Sequence, residues 1–301
     1  MSVGWIDAID EVGAGRVLAD EPLAGRTTLR VGGRAEGLLV LDDRERLPAV
    51  LMACRRMGVP WRFLGAGSNV LVTDGRLSGL TIATGQLRDL AVSGEVVSAG
   101  AGVMLLSLIG FAHRAGLTGM EWAAGIPGTV GGGVVMNAGA QGGEISDHLL
   151  AAELASADGQ IRWVPVQDLG LRYRHSRLQE TDDAVVAGRF RLDRGDVATA
   201  EARLRTVLAH RRATQPQGKN AGSMFKNPPG QSAGQLIEMA GGKGRRLGDA
   251  EISTVHANFI LNLGQARATD VLALADWAKG EVAAAFAQEL ELEVRVWHAD
   301  A

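Results

Sequence analysis

Five stretches of this chain combine residue types that could do chemistry. The longest is Glu121 to Gly143, EWAAGIPGTVGGGVVMNAGAQGG, with eight glycines around Pro127 and Thr129 and Asn137 as its chief hydrogen-bonding side chains. Glycine admits positive φ and lets a ligand approach bare main chain. Successive N–H groups in such turns form concavities that bind anions. One reading is a loop that wraps a phosphorylated cofactor. The other is composition, because 41 glycines in 301 residues is about twice the ordinary share. The second stretch, Phe63 to Gly75, runs an apolar strand into Gly65-Ala66-Gly67-Ser68-Asn69. Main-chain N–H groups there, with the Ser68 hydroxyl and Asn69 amide, suit a pyrophosphate, and a plain strand–turn–strand hairpin fits the same letters.

The third stretch is Tyr173-Arg174-His175-Ser176, which holds the only tyrosine. Arginine stays protonated at every relevant pH and can fork onto a carboxylate. The fourth, GSMFKNP (Gly222 to Pro228), sets Ser223 in a turn shaped by glycine and proline. The fifth, LELEV (Leu290 to Val294), puts Glu291 and Glu293 on one strand face, opposite Leu290, Leu292 and Val294. That is also the pattern of an ordinary edge strand.

Several common chemistries are missing. No G-x-G-x-x-G occurs: Gly65 and Gly67 lead to Val70, and Gly131 and Gly133 to Met136. A Rossmann dinucleotide site is therefore not expected, and no G-x-x-x-x-G-K-[ST] marks a P-loop. Six scattered histidines, one cysteine and no H-E-x-x-H leave no expected metal site. Cys54 cannot form an internal disulfide and reads as a small buried apolar residue in a helix. A net charge of −3 and a pI near 6.1 give no basic face for nucleic acid. Neither a secretory leader nor a run of eighteen apolar residues is present, so a cytoplasmic protein without membrane insertion is expected. Only four of 31 basic residues are lysines, and Lys219, Lys226 and Lys243 fall close together.

The elements that must position these residues alternate in type. Strands are expected at Leu38 to Asp42, Trp61 to Leu64, Gly79 to Thr84 and Val185 to Leu192, with hairpins turning at Ser93-Gly94 and Asp158-Gly159. Helical spacing covers Arg44 to Gly58, Val103 to Gly116 and Val197 to Thr214, the last stopped before Pro216. Beyond it the stretch from Gln217 to Gly230 reads as polar loop. Ser232 is placed to cap a helix to Gly241. A strand at Asn258 to Leu263, a helix from Ala268 to Leu290 and an alternating strand from Leu290 to Val296 follow. A composition shift near Val197 to Leu204 suggests a boundary.

GAGSN, EWAAGIPGTVGGGVVMNAGAQG, YRHS and GSMFKNP, in that order, resemble the UDP-N-acetylenolpyruvoylglucosamine reductase (MurB) family over nearly the full chain. TTLRVGG (Thr27 to Gly33) and LELEVR are similar to its opening and closing motifs. The resemblance implies an α+β fold of the vanillyl-alcohol-oxidase/PCMH type. FAD would lie between two subdomains, 1–85 and 86–203, with a C-terminal α+β substrate domain at 204–301. It assigns FAD binding to Gly65, Ala66, Gly67, Ser68, Asn69, Gly125, Ile126, Pro127, Gly128, Thr129, Gly132, Asn137, Ala138 and Gly139. No His or Cys lies in either glycine loop, so the FAD is expected to be non-covalent.

The same resemblance makes NADPH the co-substrate and a UDP-sugar the substrate, and a monomer is expected. It makes Ser223 the acid that protonates the reduced carbon, and Arg174 and Glu293 the groups that stabilise charge on the enolpyruvyl moiety. Tyr173, Lys226, Asn227 and Arg246 become substrate contacts. Leu29, Gln141 and Leu292 depart mildly from the family pattern. No tyrosine-bearing insertion is visible, so the chain resembles the shorter type. Another non-covalent flavin oxidoreductase of this fold, or an inactive flavin-binding protein, is the competing expectation.

Overall fold

Alternation and helical spacing become elements close to where the sequence puts them. The computed structural model describes residues 4–300, and the chain forms two units. The first takes the chain to Glu21, then Glu36–Ala66 and Gly79–Ala209; the second takes Pro22–Ala35, Gly67–Ser78 and the chain from His210.

In the first unit a five-stranded antiparallel sheet runs in the order Ile161–Pro165, Leu149–Ala155, Ala184–Arg191, Val96–Gly100, Leu90–Ser93. Both expected hairpins are present, turning at Gly94 and at Asp158-Gly159. Phe190, Leu108, Val130 and Val134 are fully buried beneath this sheet and its neighbouring helices. A second sheet orders Gly15–Pro22, Arg34–Leu41, Arg76–Ala83 and Trp61–Leu64, its last pair parallel. Leu39, Leu80 and Ile82 pack there with Leu47, Leu51 and Cys54 of the Leu47–Met57 helix. Each such side chain removed from water contributes about 1.5–3 kcal/mol. Gly58 ends that helix in the left-handed conformation, φ 66°, as a C-terminal glycine does. Cys54 is fully buried, and desolvation pushes its thiol up to about 11.

The second unit is built on a four-stranded antiparallel sheet ordered Lys219–Ser223, Phe259–Asn262, Ala250–Ile252, Arg246–Leu247. Its core, including Phe225, Ile237, Val271 and Val282, also takes Leu29, Val31 and Leu71 from the two early segments. The Ala233–Met239 helix is capped by Ser232, whose hydroxyl accepts from Gln235 N–H at 3.4 Å. Asp74 accepts from the first N–H groups of the Ala268–Phe286 helix, at 3.4 and 3.3 Å. This places a negative charge where the helix dipole favours it. Val70–Val72 pairs in parallel with Arg295–Trp297.

Several elements differ from expectation. The strands flanking GAGSN do not form a hairpin, because each pairs with another part of the chain. The glycine run contains a helix, Val130–Val135, and the polar Gln217–Gly230 stretch contains the strand Lys219–Ser223. The last helix ends at Phe286, where Ala287 turns left-handed at φ 51°. Only Arg295–Trp297 of the closing stretch is regular strand. The Val197–Thr214 helix has the expected bounds and fully buries only Ala200; Arg203, Arg205 and Arg212 are exposed, whereas Arg211 is half-buried.

Candidate functional site

In the first unit the glycine run is folded around its polar residues. Gly125 and Gly128 take φ 77° and 152°, bending Gly125-Ile126-Pro127-Gly128 away from the turn Glu121–Ala123. Ile126 N–H bonds Ala123 C=O at 3.0 Å, and Gly128 C=O accepts from Leu105 N–H at 3.1 Å. Thr129, in extended conformation, precedes the Val130–Val135 helix, which leaves Gly132 on its exposed side. Thr129 is buried, and its hydroxyl has no hydrogen-bond partner. A methyl group on Gly65 would lie 2.6 Å from that hydroxyl. Glycine at 65 therefore lets the first turn and Thr129 share one place, beside Ala66.

Asn137 is fully buried at φ 41°. Its Nδ2 donates to Arg172 C=O at 3.2 Å and its Oδ1 accepts from Ser146 N–H at 3.0 Å. Ala138 N–H bonds Gly133 C=O at 2.8 Å. Arg172 and His175 exchange backbone hydrogen bonds of 3.0 and 2.9 Å, leaving Tyr173 and Arg174 as a two-residue turn. Arg174 has φ 53°, a conformation that costs a residue with a Cβ about 1–3 kcal/mol. Ser176 and Gln179 fasten the turn to Val135 C=O at 2.6 and 3.1 Å, and Gln179 also holds Arg174 C=O at 3.2 Å. The guanidinium donates from Nη2 to Gly139 C=O at 2.6 Å and sits 4.9 Å from the Tyr173 ring centre. A strained cation is thus fixed on Gly139 of the glycine run.

In the second unit Gly67 takes φ 64°, and a methyl group there would meet Arg26 C=O at 2.3 Å. Only glycine allows this approach to the Arg26-Thr27 backbone. Thr27 is buried, and its hydroxyl also lacks a partner. Ser68 C=O lies near Gly222, and Asn69 Nδ2 donates to Glu293 C=O at 3.1 Å.

Ser223 follows a β-bulge: Asn220 pairs with Leu261 but Ser223 with Phe259, so the strand carries one extra residue. Bulges re-aim the next side chain. Glu293 N–H bonds Met224 C=O at 2.8 Å, which sets Glu293 beside the residue following Ser223. Lys226 N–H bonds Glu291 C=O at 2.9 Å, and the Lys226 ammonium pairs with the Glu291 carboxylate at 2.5 Å. Asn227 Oδ1 accepts from Ala233 N–H at 3.0 Å, at the start of a helix. Arg246, half exposed on a hairpin, lies 3.7 Å from Asp249 and 3.9 Å from Glu251. The other clustered lysines are engaged as well, Lys243 with Glu238 at 2.7 Å and Lys219 with Gly264 C=O at 3.4 Å.

Asn258 and the His113–Glu121 pair went unnoticed in the sequence. Asn258 is buried against Phe225. His256 accepts Asn258 N–H at Nδ1, and desolvation, with Lys243 nearby, holds its pKa below the usual histidine value. His113 and Glu121 form a buried pair at 2.8 Å. Burial pushes the Glu121 carboxyl up, but hydrogen bonds from His113 and Gly119 N–H outweigh it and hold the pKa low. No spacing rule links Asn258 to Phe225, 33 positions earlier in the chain. Among the described residues no cluster of His, Cys, Asp and Glu could hold a metal ion, and no helix is long and apolar enough to cross a membrane.

In each unit taken by itself a buried hydroxyl without a partner lies against a glycine, Thr129 against Gly65 and Thr27 against Gly67, as suits a ligand rich in acceptors. A flavin dinucleotide has that chemistry. Residues 35–165 match the model of an FAD binding domain, and 214–297 match the C-terminal domain of UDP-N-acetylenolpyruvoylglucosamine reductase. A glucose dehydrogenase, Phl p 4, shares the fold of 74% of the chain and 52% of its own at a TM-score of 0.51 and 15% identity. The fold is that of an FAD-binding protein of α+β architecture.

A curated relative from Symbiobacterium thermophilum, UDP-N-acetylenolpyruvoylglucosamine reductase 2, is 45% identical over 94% of this chain and 92% of its own. The crystal structure of the reductase from Thermus caldophilus superposes with a TM-score of 0.82 at 42% identity, covering 94% of this chain and 99% of that one. The chain belongs to the UDP-N-acetylenolpyruvoylglucosamine reductase (MurB) family.

Proposed function

We propose that the protein reduces the enolpyruvyl group of UDP-N-acetylglucosamine enolpyruvate to the lactyl ether of UDP-N-acetylmuramate, with NADPH as reductant. The observation that carries the reading is the backbone bond from Glu293 to Met224, which pairs the Glu293 main chain with the residue that follows Ser223. Identity of 45% and 42%, each over 94% of this chain, to reductases of that name supports it.

Bound FAD would supply the chemistry of accepting hydride from NADPH and passing it to the substrate double bond. Thr129, with the bare backbone at Gly65, Ala66, Gly125 to Gly128, Gly132, Ala138 and Gly139, would hold it. No His or Cys lies in these loops and Cys54 is buried, which supports non-covalent attachment.

The chain's own residues would handle charge and proton. Hydride addition leaves an electron pair conjugated with the substrate carboxylate. Arg174, permanently charged and held by its turn, would stabilise that charge, with Tyr173 beside it. The Ser223 hydroxyl would give its proton to the adjacent carbon. A serine is a weak acid, so it must be held close to its acceptor, and Glu293 would polarise the enolate together with Arg174. Lys226, Asn227 and Arg246 would contact the nucleotide phosphates or sugar. The protein would act as a cytoplasmic monomer on small molecules, without nucleic acid or membrane.

NADPH oxidation with and without the enolpyruvyl UDP-sugar tests the reading. A rate indifferent to the sugar rejects it. In Ser223→Ala, NADPH should still bleach the flavin while the sugar barely restores its colour; normal recovery would remove Ser223 from the reaction.

A further inference from the structure

Ser223 can deliver a proton only if its backbone is fixed, because its hydroxyl has no hydrogen bond to the described residues. Four backbone polar groups follow it on Met224 and Phe225, both nearly fully buried. Buried main-chain groups must be paired. Met224 C=O accepts from Glu293 N–H at 2.8 Å. The other three all go to one residue. Met224 N–H donates to Asn258 C=O at 2.7 Å. Phe225 N–H donates to Asn258 Oδ1 at 3.0 Å, and Asn258 Nδ2 donates to Phe225 C=O at 2.8 Å.

The Asn258 side chain thus replaces a neighbouring strand just where the bulge at Asn220–Ser223 has broken the ladder. An amide carries one donor and one acceptor group at the spacing of a peptide unit, so it matches both edges of Phe225. Leucine lacks both groups, and a carboxylate lacks the donor.

We propose that Asn258 is a positioning residue for the reaction: its amide clamps Met224-Phe225 against Glu293 and so fixes where the Ser223 hydroxyl points. It touches neither substrate nor cofactor and acts through Ser223. The inference rests on the reductase reading and assigns a residue that reading leaves out.

The test uses the flavin-loaded full chain and separates the two half-reactions. In Asn258→Ala and Asn258→Asp, bleaching by NADPH should stay within about twofold of the unaltered protein. Recovery of colour with the enolpyruvyl UDP-sugar should slow on the order of 10- to 100-fold, the scale of a small misplacement of a reacting group. The Asp variant should recover rate as pH falls, because a protonated carboxyl again donates to Phe225 C=O; the Ala variant should not. If neutral-pH Asn258→Asp does not fold, the acid-pH protein gives the reading. Hydrogen exchange at the Phe225 amide should quicken in Asn258→Ala. Equal loss in both half-reactions, or unchanged recovery of colour, overturns the proposal. Failure of the reductase reading looks different, since the unaltered protein would then ignore the sugar.

Discussion

Placing a methyl group on Gly65 probes whether the Thr129 hydroxyl serves the cofactor. In Gly65→Ala the new carbon would lie 2.6 Å from Thr129 Oγ1 but 3.8 Å from Thr129 Cβ and 3.9 Å from Cγ2. Gly65 does not have positive φ, so its backbone accepts alanine. The clash is therefore confined to one hydroxyl, and rotating Thr129 about χ1 relieves it. That rotation turns the hydroxyl away from the glycine turn. A hydrogen bond to a charged group contributes about 1.5–3 kcal/mol. FAD affinity should then fall roughly 10- to 100-fold while the apoprotein melts within a few degrees of the unaltered one. Thr129→Ala should weaken FAD to a similar extent by deleting the same bond. The double variant should be no worse than either single one, because each removes the same interaction. Titrating apoprotein into FAD and following flavin fluorescence measures all four dissociation constants. Losses that add in the double variant, or unchanged binding in Gly65→Ala, refute the reasoning.

Three further outcomes follow, two of them from buried groups. Glu121 is held ionised by His113 and Gly119, and its folded pKa lies below the unfolded value. Its stabilisation is present above the usual carboxylate range and is lost as pH falls through the folded pKa. Glu121→Gln should lower urea stability at pH 7 by about 1–3 kcal/mol and by progressively less toward pH 3; a constant deficit would contradict this. Acid precipitation of the loaded protein should leave the yellow colour in solution, and Cys54, whose thiol burial pushes to about 11, should resist thiol reagents until unfolding. Colour in the pellet would overturn the non-covalent assignment.

Local signals made much of the fold legible. Pro216 sits just beyond the Val197–Thr214 helix, Asp158-Gly159 marks a hairpin, and Ser232 caps the helix that follows it, each through chemistry confined to a few neighbours. Strand alternation placed Glu291 and Glu293 but could not name their partner. That partner is GSMFK, which reads as loop because glycine, proline and polar residues dominate it. The bulge before Ser223 and the Asn258 clamp were hidden for the same reason: both depend on pairing across distant sequence. Arg174 was legible as a motif. Its left-handed turn was not, since arginine has no local preference for positive φ and tertiary bonds from Gln179 and Asn137 impose it.

The parallel pairing of Val70–Val72 with Arg295–Trp297 has a consequence for how the chain matures. Asn69 and Glu293 are 224 residues apart in sequence, and strand pairs separated this widely close late because the intervening loop loses much entropy first. During synthesis, the early strand beside the GAGSN turn waits with an open edge until nearly all of the chain has emerged. Newly made protein should therefore acquire its yellow colour as a final step, and the waiting strand is where aggregation would begin.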